Sequence, residues 1–260
     1  MSQSTVAAVL RSDQAYYAQL SRTETLNNGI AFYSEAFPSL HEANQLREIV
    51  LAGRSAADLY RQVEDFYGGR GLTCFRWVPA VDQPADAIEA ELGRHGWSAR
   101  RRACLRLREL VDFGEQRGIR VLPARAMRRA YRETFTSEGG AARDVVADAA
   151  DERLNDPRMD AYVAVWEGRA VGRGALFTIG EIGHVRSFRV LPPGKGVGAA
   201  DALMHQIAAV CRRLTIPIVC YDVDAADDGA IRLFERSGFE RDGEIVEFVP
   251  QTVIDAPQRT

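Results

Sequence analysis

Between an apolar stretch and a run with helical spacing lies Val190-Leu191-Pro192-Pro193-Gly194-Lys195-Gly196-Val197-Gly198-Ala199-Ala200. Glycine removes the Cβ atoms that keep an anion away from the backbone. The first amides of a helix have no intrahelical partner and attract negative charge. The chemistry suited to such a segment is the holding of a phosphate or pyrophosphate. A glycine-rich turn that merely caps a helix is the bland alternative. G-x-x-x-x-G-K-[ST] is absent. Gly194, Gly196 and Ala199 satisfy the dinucleotide pattern G-x-G-x-x-[GA]. That pattern needs the first strand of a parallel βαβ series, whereas the short connections upstream of the loop force antiparallel pairing. A nicotinamide-dependent oxidoreductase thus fits the letters and not the context.

The loop resembles that of the GNAT superfamily of acyl-CoA-dependent N-acyltransferases, [QR]-x-x-G-x-[GA] preceded by V-x-P. Val190, Pro192, Lys195, Gly198 and Ala200 occupy those places, with Lys195 for the usual Gln or Arg. Lysine keeps the cation and loses the planar fork of arginine. Downstream, V-x-x-x-N-x-x-A-x-x-L-Y-x-x-x-G-F is similar to Val223, Asp227, Ala230, Leu233, Phe234, Gly238 and Phe239, with Asp for Asn and Phe for Tyr. Read alone, this second motif is an amphipathic helix with a glycine C-cap.

The resemblance spans residues 119–249 and implies acetyl-CoA as co-substrate, no metal, and direct attack of a primary amine on the thioester in a ternary complex. It implies that the backbone of Phe188, Arg189 and Val190 pairs with the pantetheine arm. Lys195, Gly196, Val197, Gly198, Ala199 and Ala200 would hold the pyrophosphate, and Asp227, Ala230 and Phe234 would complete the coenzyme site. Phe234 has no proton to give a departing thiolate, so Tyr221 on the preceding strand is the substitute donor. An attacking amine must lose a proton. His184 lies near where some relatives carry a glutamate base, and Glu181 is its rival. Strict alternation would place His184, Arg186, Phe188 and Val190 on one face. Each of these has a structural reading as well: a satisfied strand histidine, a core tyrosine. The alternative function is a non-catalytic acyl-CoA-binding sensor.

The elements that must position these residues follow from periodicity. Strands are expected at 29–33, 72–78, 97–107, 119–122, 161–165, 170–178, 184–190, 216–223 and 245–249. Helices are expected at 14–20, 41–51, 55–67, 86–95, 124–135, 142–154, 200–213 and 228–236. Pro38, His41 and Asn44 read as the start of the second helix, their alternative being reach into an acceptor groove. The expected fold class is α/β (α+β): a GNAT-like mixed, mainly antiparallel central sheet flanked by helices, preceded by a smaller GNAT-like α/β domain. Gly96-Trp97 stands in the first half where Gly238-Phe239 stands in the second. No comparable glycine loop occurs in the first half, which reads as a companion without its own coenzyme site. The polar stretch 112–118 reads as a linker between domains 1–111 and 119–260.

With 260 residues, 46% hydrophobic and 27% charged, the chain is long enough for two cores. A net charge of -3 leaves no basic excess for nucleic acid. The four cysteines form no CxxC pair, and no signal-peptide pattern or membrane-length apolar run is present, so the expected location is cytoplasmic. Neither the acceptor nor the oligomeric state is legible.

Overall fold

The computed structural model describes residues 4–109, 111, 114, 116, 118–137 and 143–251. In chain order these form α1 (Thr5–Tyr17), β1 (Arg22–Leu26), β2 (Gly29–Tyr33), β3 (Gln45–Ile49), α2 (Ala56–Gly68), β4 (Trp77–Pro79), α3 (Asp86–Arg94) and β5 (Trp97–Leu107). They continue with β6 (Ile119–Pro123), α4 (Arg128–Thr136), α5 (Arg143–Arg153), β7 (Met159–Trp166), β8 (Arg169–Ile179), β9 (Ile182–Val190), α6 (Ala199–Leu214), β10 (Ile218–Asp224), α7 (Asp228–Glu235) and β11 (Phe239–Pro250). Contacts divide the described residues into two compact units: 4–16 with those of 103–243, and 17–102 with 244–251. Each unit has a mainly antiparallel sheet with helices packed on it, as expected. The expected linker 112–118 lies mostly outside the described residues.

In the larger unit the strand order is β11, β5, β10, β9, β8, β7, β6. The meander β6 to β9 is antiparallel throughout, and β10 runs parallel to β9. This fold leaves no place for the doubly wound parallel sheet that a nicotinamide cofactor wants. A chain turn at Glu167 and Gly168, both with φ between +49° and +77°, joins β7 to β8. Leu203, Ile207, Val210 and Cys211 of α6 cover one face of the sheet together with Ile231 and Phe234 of α7. At about 25 cal/mol per Å² of apolar area removed from water, this stripe is the main reason the helix docks.

In the smaller unit the order is β1, β2, β3, β4, β11, β5. Its core gathers Leu46 and Ile49 with Leu59, Val63 and Tyr67 of α2, Trp77, Ile88 and Leu92 of α3, and Phe248. Two expectations are corrected here. The helix expected over 41–51 is a loop followed by β3. A bulge at Glu48, φ +51°, turns the spacing of the core-facing Leu46 and Ile49 from two residues to three, which imitates a helix. On the strand's other side Arg47 donates to Gln45 Oε1 at 2.9 Å. The expected strand 72–78 is ordered as β only from Trp77.

The two units repeat one plan. A strand with a positive-φ residue (Glu48 in β3, Ser187 in β9) leads through a loop to a helix and then to a parallel strand. The helix starts differ, however. Ser55 caps α2 by accepting from the Asp58 amide, and Asp58 places a carboxylate in its first turn, so the positive helix end is already answered. Helix α6 begins at Gly198 with no side-chain cap, and its first-turn carboxylate, Asp201, is paired with Arg236 at 2.9 Å.

Candidate active site

β9 and β10 pair through three rungs, Ile218↔Ile182, Val219↔Gly183 and Cys220↔His184, and then part. The last six residues of β9 therefore turn an unpaired edge toward the gap, carrying backbone donors and acceptors that a ligand can meet as a strand would. On its other side β9 carries a bulge. Arg186 opposes Ala175 and Arg189 opposes Arg173, so two residues of β9 face Gly174, with Ser187 at φ +49°.

The bulge corrects the expected alternation. His184 and Arg186 turn to the face covered by α1, where Arg186 reaches Asp13 and lies 4.5 Å over the Tyr16 ring. Phe188 turns to the other face, 5.2 Å from the ring of Phe234 and beside the Ile207 side chain at Gly174. One extra residue moves every later side chain to the opposite face.

Downstream of the gap, the Leu191 amide donates to Val171 O, and the 3₁₀ turn Pro192–Gly194 presses Gly194 against Val171. Lys195 and Gly196 are exposed. Gly196 and Gly198 have φ of +82° and +88°, a left-handed conformation that favours glycine. Val197, Gly198 and Ala200 are half-buried, and Ala199 is buried as the first residue of α6. The uncapped helix start and the flanking cation Lys195 together suit a pyrophosphate. The Gln116 carboxamide rests on this loop, its Oε1 standing 2.6 Å from where a Cβ on Gly198 would lie.

His184 ends the paired stretch of β9 and is fully buried. Its Nε2 lies 2.7 Å from Oδ1 of Asp222 in an ion-pair contact rather than a well-formed hydrogen bond, and its Nδ1 has no hydrogen-bond partner. Burial and then the Arg186 charge lower its pKa below the usual imidazole value, against the opposing pull of Asp222 and Asp13. The ring is therefore neutral near pH 7. A lone pair on Nε2 would face the carboxylate lone pairs, so the proton sits on Nε2 and the free lone pair on Nδ1. Asp13, His184 and Asp222 each bring a possible ligand atom within 4.8 Å of the others. The Arg186 guanidinium already bridges the two carboxylates, at 2.6 and 3.6 Å, and takes the place of a cation.

Cys220 faces His184 at the last rung. Burial holds its thiol well above its ordinary pKa, so it is no thiolate nucleophile. The Tyr221 ring lies on the other face, stacked 3.6 Å from that of Phe234 and nearly parallel to it. Burial first, then Asp222 and Asp227, raise its pKa, so the phenol keeps its proton at neutral pH.

Other expected residues have different places. Glu181 is exposed in the turn before β9, at the closed end of the pairing, and its carbonyl accepts from the Ile218 amide; it is not brought to the gap. Phe234 is fully buried among Phe188, Tyr221 and Phe239 and presents no surface to a coenzyme. Asp227 caps α7, one oxygen accepting from the Ala230 amide at 2.9 Å while the other is buried without a partner. In the smaller unit Asn44 is fully buried: it accepts from the Ser34 amide and donates to the carbonyls of Phe37 and Leu40. His41 stacks on Phe75. Sequence reasoning missed Asp222 and Asp13. An acid within the apolar strand 218–223 was a signal for the first; nothing in the sequence joins Asp13 to a strand about 170 residues away.

A parallel pair that parts after three rungs thus leads into a helix start without a side-chain cap. Residues 124–239 match the model of the Acetyltransferase (GNAT) family. The chain thus carries a GNAT acetyltransferase domain, which supports an acyl-CoA-dependent N-acetyltransferase in general. No curated protein matches the chain. Among solved structures, a GCN5-related N-acetyltransferase from Kribbella flavida is similar over 96% of both chains, with 14% identity and a TM-score of 0.65. A functionally unknown conserved protein from Staphylococcus epidermidis aligns over 89% of this chain and 94% of its own, with 12% identity and a TM-score of 0.69. A tandem GNAT protein from the clavulanic acid biosynthesis pathway aligns over 91% and 86%, with 16% identity and a TM-score of 0.59. At these identities the likeness is one of fold, and it extends over both units.

Proposed function

We propose that the chain transfers the acetyl group of acetyl-CoA to a primary amine of a small molecule or peptide by direct attack in a ternary complex. The observation that carries this reading is the gap between β9 and β10, with neutral His184 at its closed end and the uncapped start of α6 at its open end. Backbone groups of Phe188, Arg189 and Val190 pair with the pantetheine arm, and an amide there polarises the thioester carbonyl. Residues 195–200 hold the pyrophosphate, with Ala230 and the buried-acid cap Asp227 beyond. His184 takes the proton that the amine loses, relayed by water because the ring is wholly covered. The nitrogen attacks the carbonyl carbon, the C–S bond breaks, and Tyr221 donates a hydrogen bond to the departing sulfur.

On this reading 119–260 carries the catalytic loop and 112–118 links it to a companion domain 1–111, of which residues 4–16 and 103–107 group with the catalytic unit. Among the described residues no helix is long and apolar enough to cross a membrane. Four buried cysteines, none of them in a disulfide, suit the reducing cytoplasm that we propose as its location. Nucleic acid is no partner on the charge balance.

The test is free-thiol release from acetyl-CoA with a panel of primary amines, beside calorimetric titration with acetyl-CoA and with NADH. Saturable acetyl-CoA binding with amine-dependent thiol release is expected. Absence of acetyl-CoA binding would overturn the assignment. A second reading, a non-catalytic acyl-CoA sensor, is favoured by the full burial of His184; binding without thiol release from any amine would select it.

A further inference from the structure

Two carboxylates and a guanidinium stand beside His184 with no part in the scheme above. Asp222 on β10 lies against Nε2. Arg186 Nη2 lies 2.6 Å from Asp13 Oδ1, and its Nη1 lies 3.6 Å from the same Asp222 oxygen that meets the histidine. Asp13 and His184 are fully buried, Arg186 nearly so. A buried acid on the first helix is costly unless its partner is fixed, and here the partner reaches the site.

We propose that Asp222, clamped by Arg186 and through it by Asp13, is a positioning residue that fixes the tautomer and orientation of His184, making the N-terminal helix a working part of the transfer site. The activity part of this inference rests on His184 being the base. Arg186 ties Asp222 to α1 so that the carboxylate faces Nε2 and Nδ1 keeps its lone pair. The three charged groups sum to one negative charge beside a neutral ring and to none when the ring gains a proton, so the cluster offsets the charge that base catalysis creates. The titratable and charged groups around the ring are Arg186 on its own strand, Cys220 and Asp222 on β10, and Asp13 and Tyr16 on α1, with Arg153 of α5 lying 4.1 Å over the Tyr16 ring. The family match begins at residue 124, so Asp13 lies outside the segment that the family defines.

The experiment uses the full chain labelled with ¹⁵N-histidine, the four histidines being separated and His184 identified by its loss in His184→Gln. In the unsubstituted chain the Nε2–H tautomer is expected at pH 7. Asp222→Asn abolishes the tautomer preference and lowers kcat by roughly 10²-fold, at the lower end of what a positioned acid–base group contributes. The KM for acetyl-CoA changes less than about twofold, and the acidic limb of the rate profile moves to lower pH, because a group that raised the imidazole pKa is gone. Asp222→Glu, which keeps the carboxylate, recovers part of the rate. Asp13→Asn moves both readouts in the same direction by less, and adds no further loss in the Asp222→Asn background. An unchanged tautomer and profile in Asp222→Asn would overturn the proposal, as would an unchanged tautomer and profile in Asp13→Asn should Asp222→Asn fail to fold. If His184→Gln keeps the original rate profile, the base reading fails; the tautomer measurement still decides whether Asp222 positions the ring.

Discussion

Gly194, Gly196 and Gly198 stand two apart and do three different things. A Cβ on Gly194 would lie 2.5 Å from Val171 O, so Gly194→Ala should lower stability by about 1–3 kcal/mol, as overpacking does, and leave acetyl-CoA affinity unchanged while the chain is folded. Gly196 faces open space at φ +82°, and alanine there should cost only about 1–2 kcal/mol of left-handed strain. Gly198→Ala meets both φ +88° and the Gln116 carboxamide at the helix start, and should weaken acetyl-CoA binding more than either neighbour. Denaturant titration and calorimetry separate the three, and equal affinity losses at all of them would remove this division. His184 makes a further prediction. Its folded pKa lies below its unfolded value of about 6.5, so the unfolded chain binds more protons. Stability must therefore fall as pH drops below that value. His184→Gln should flatten the melting temperature against pH between about 7 and 5, and an equally steep curve in the variant would show that another group sets it.

At the scale of elements, the bulge in β9 and the packing of α7 decide what the sheet can present. Phe234, which the resemblance sets against a tyrosine, has its ring sealed between three aromatic neighbours. Phe234→Tyr should bury a hydroxyl in that cluster, lower stability by about 1–3 kcal/mol and leave kcat unimproved; a rise in kcat would return the thiolate-protonating role to this position. Most elements were legible. β5 runs from Trp97 to Leu107 and α3 from Asp86 as the periodicity required, because long segments with one buried face carry their period in the residues themselves. β1 was overlooked: its residues Arg22–Leu26 are polar and largely exposed, although the Asn-Gly at 28–29 signals the hairpin that pairs it with β2. β3 was misread because its bulge makes an alternating strand look helical. Bulges depend on the partner strand, and sequence spacing alone does not show them.

At the scale of the molecule, the last strand of each repeat passes between units: 97–102 of β5 and 244–250 of β11 belong to the smaller unit, 103–107 and 239–243 to the larger. Within the smaller unit Trp77 of β4 pairs with Phe248. A fragment 1–111 should therefore remain unfolded by circular dichroism and gain structure when co-expressed with 112–260. An independently folded 1–111 would show that its sheet does not need β11. The sequence by itself determined the glycine loop at 194–200, the helix behind it, the antiparallel meander before it and the family they resemble, because turn residues, caps and local periodicity are properties of neighbours in the chain. Only the tertiary structure decided that β9 parts from β10 at His184, that the bulge at Ser187 sends Phe188 away from Arg186, that Phe234 is sealed, and that Asp13 and Asp222 stand around His184. Each of these depends on groups brought together from distant parts of the chain, whose pairing is fixed by burial and charge in the folded state and leaves no mark on local spacing.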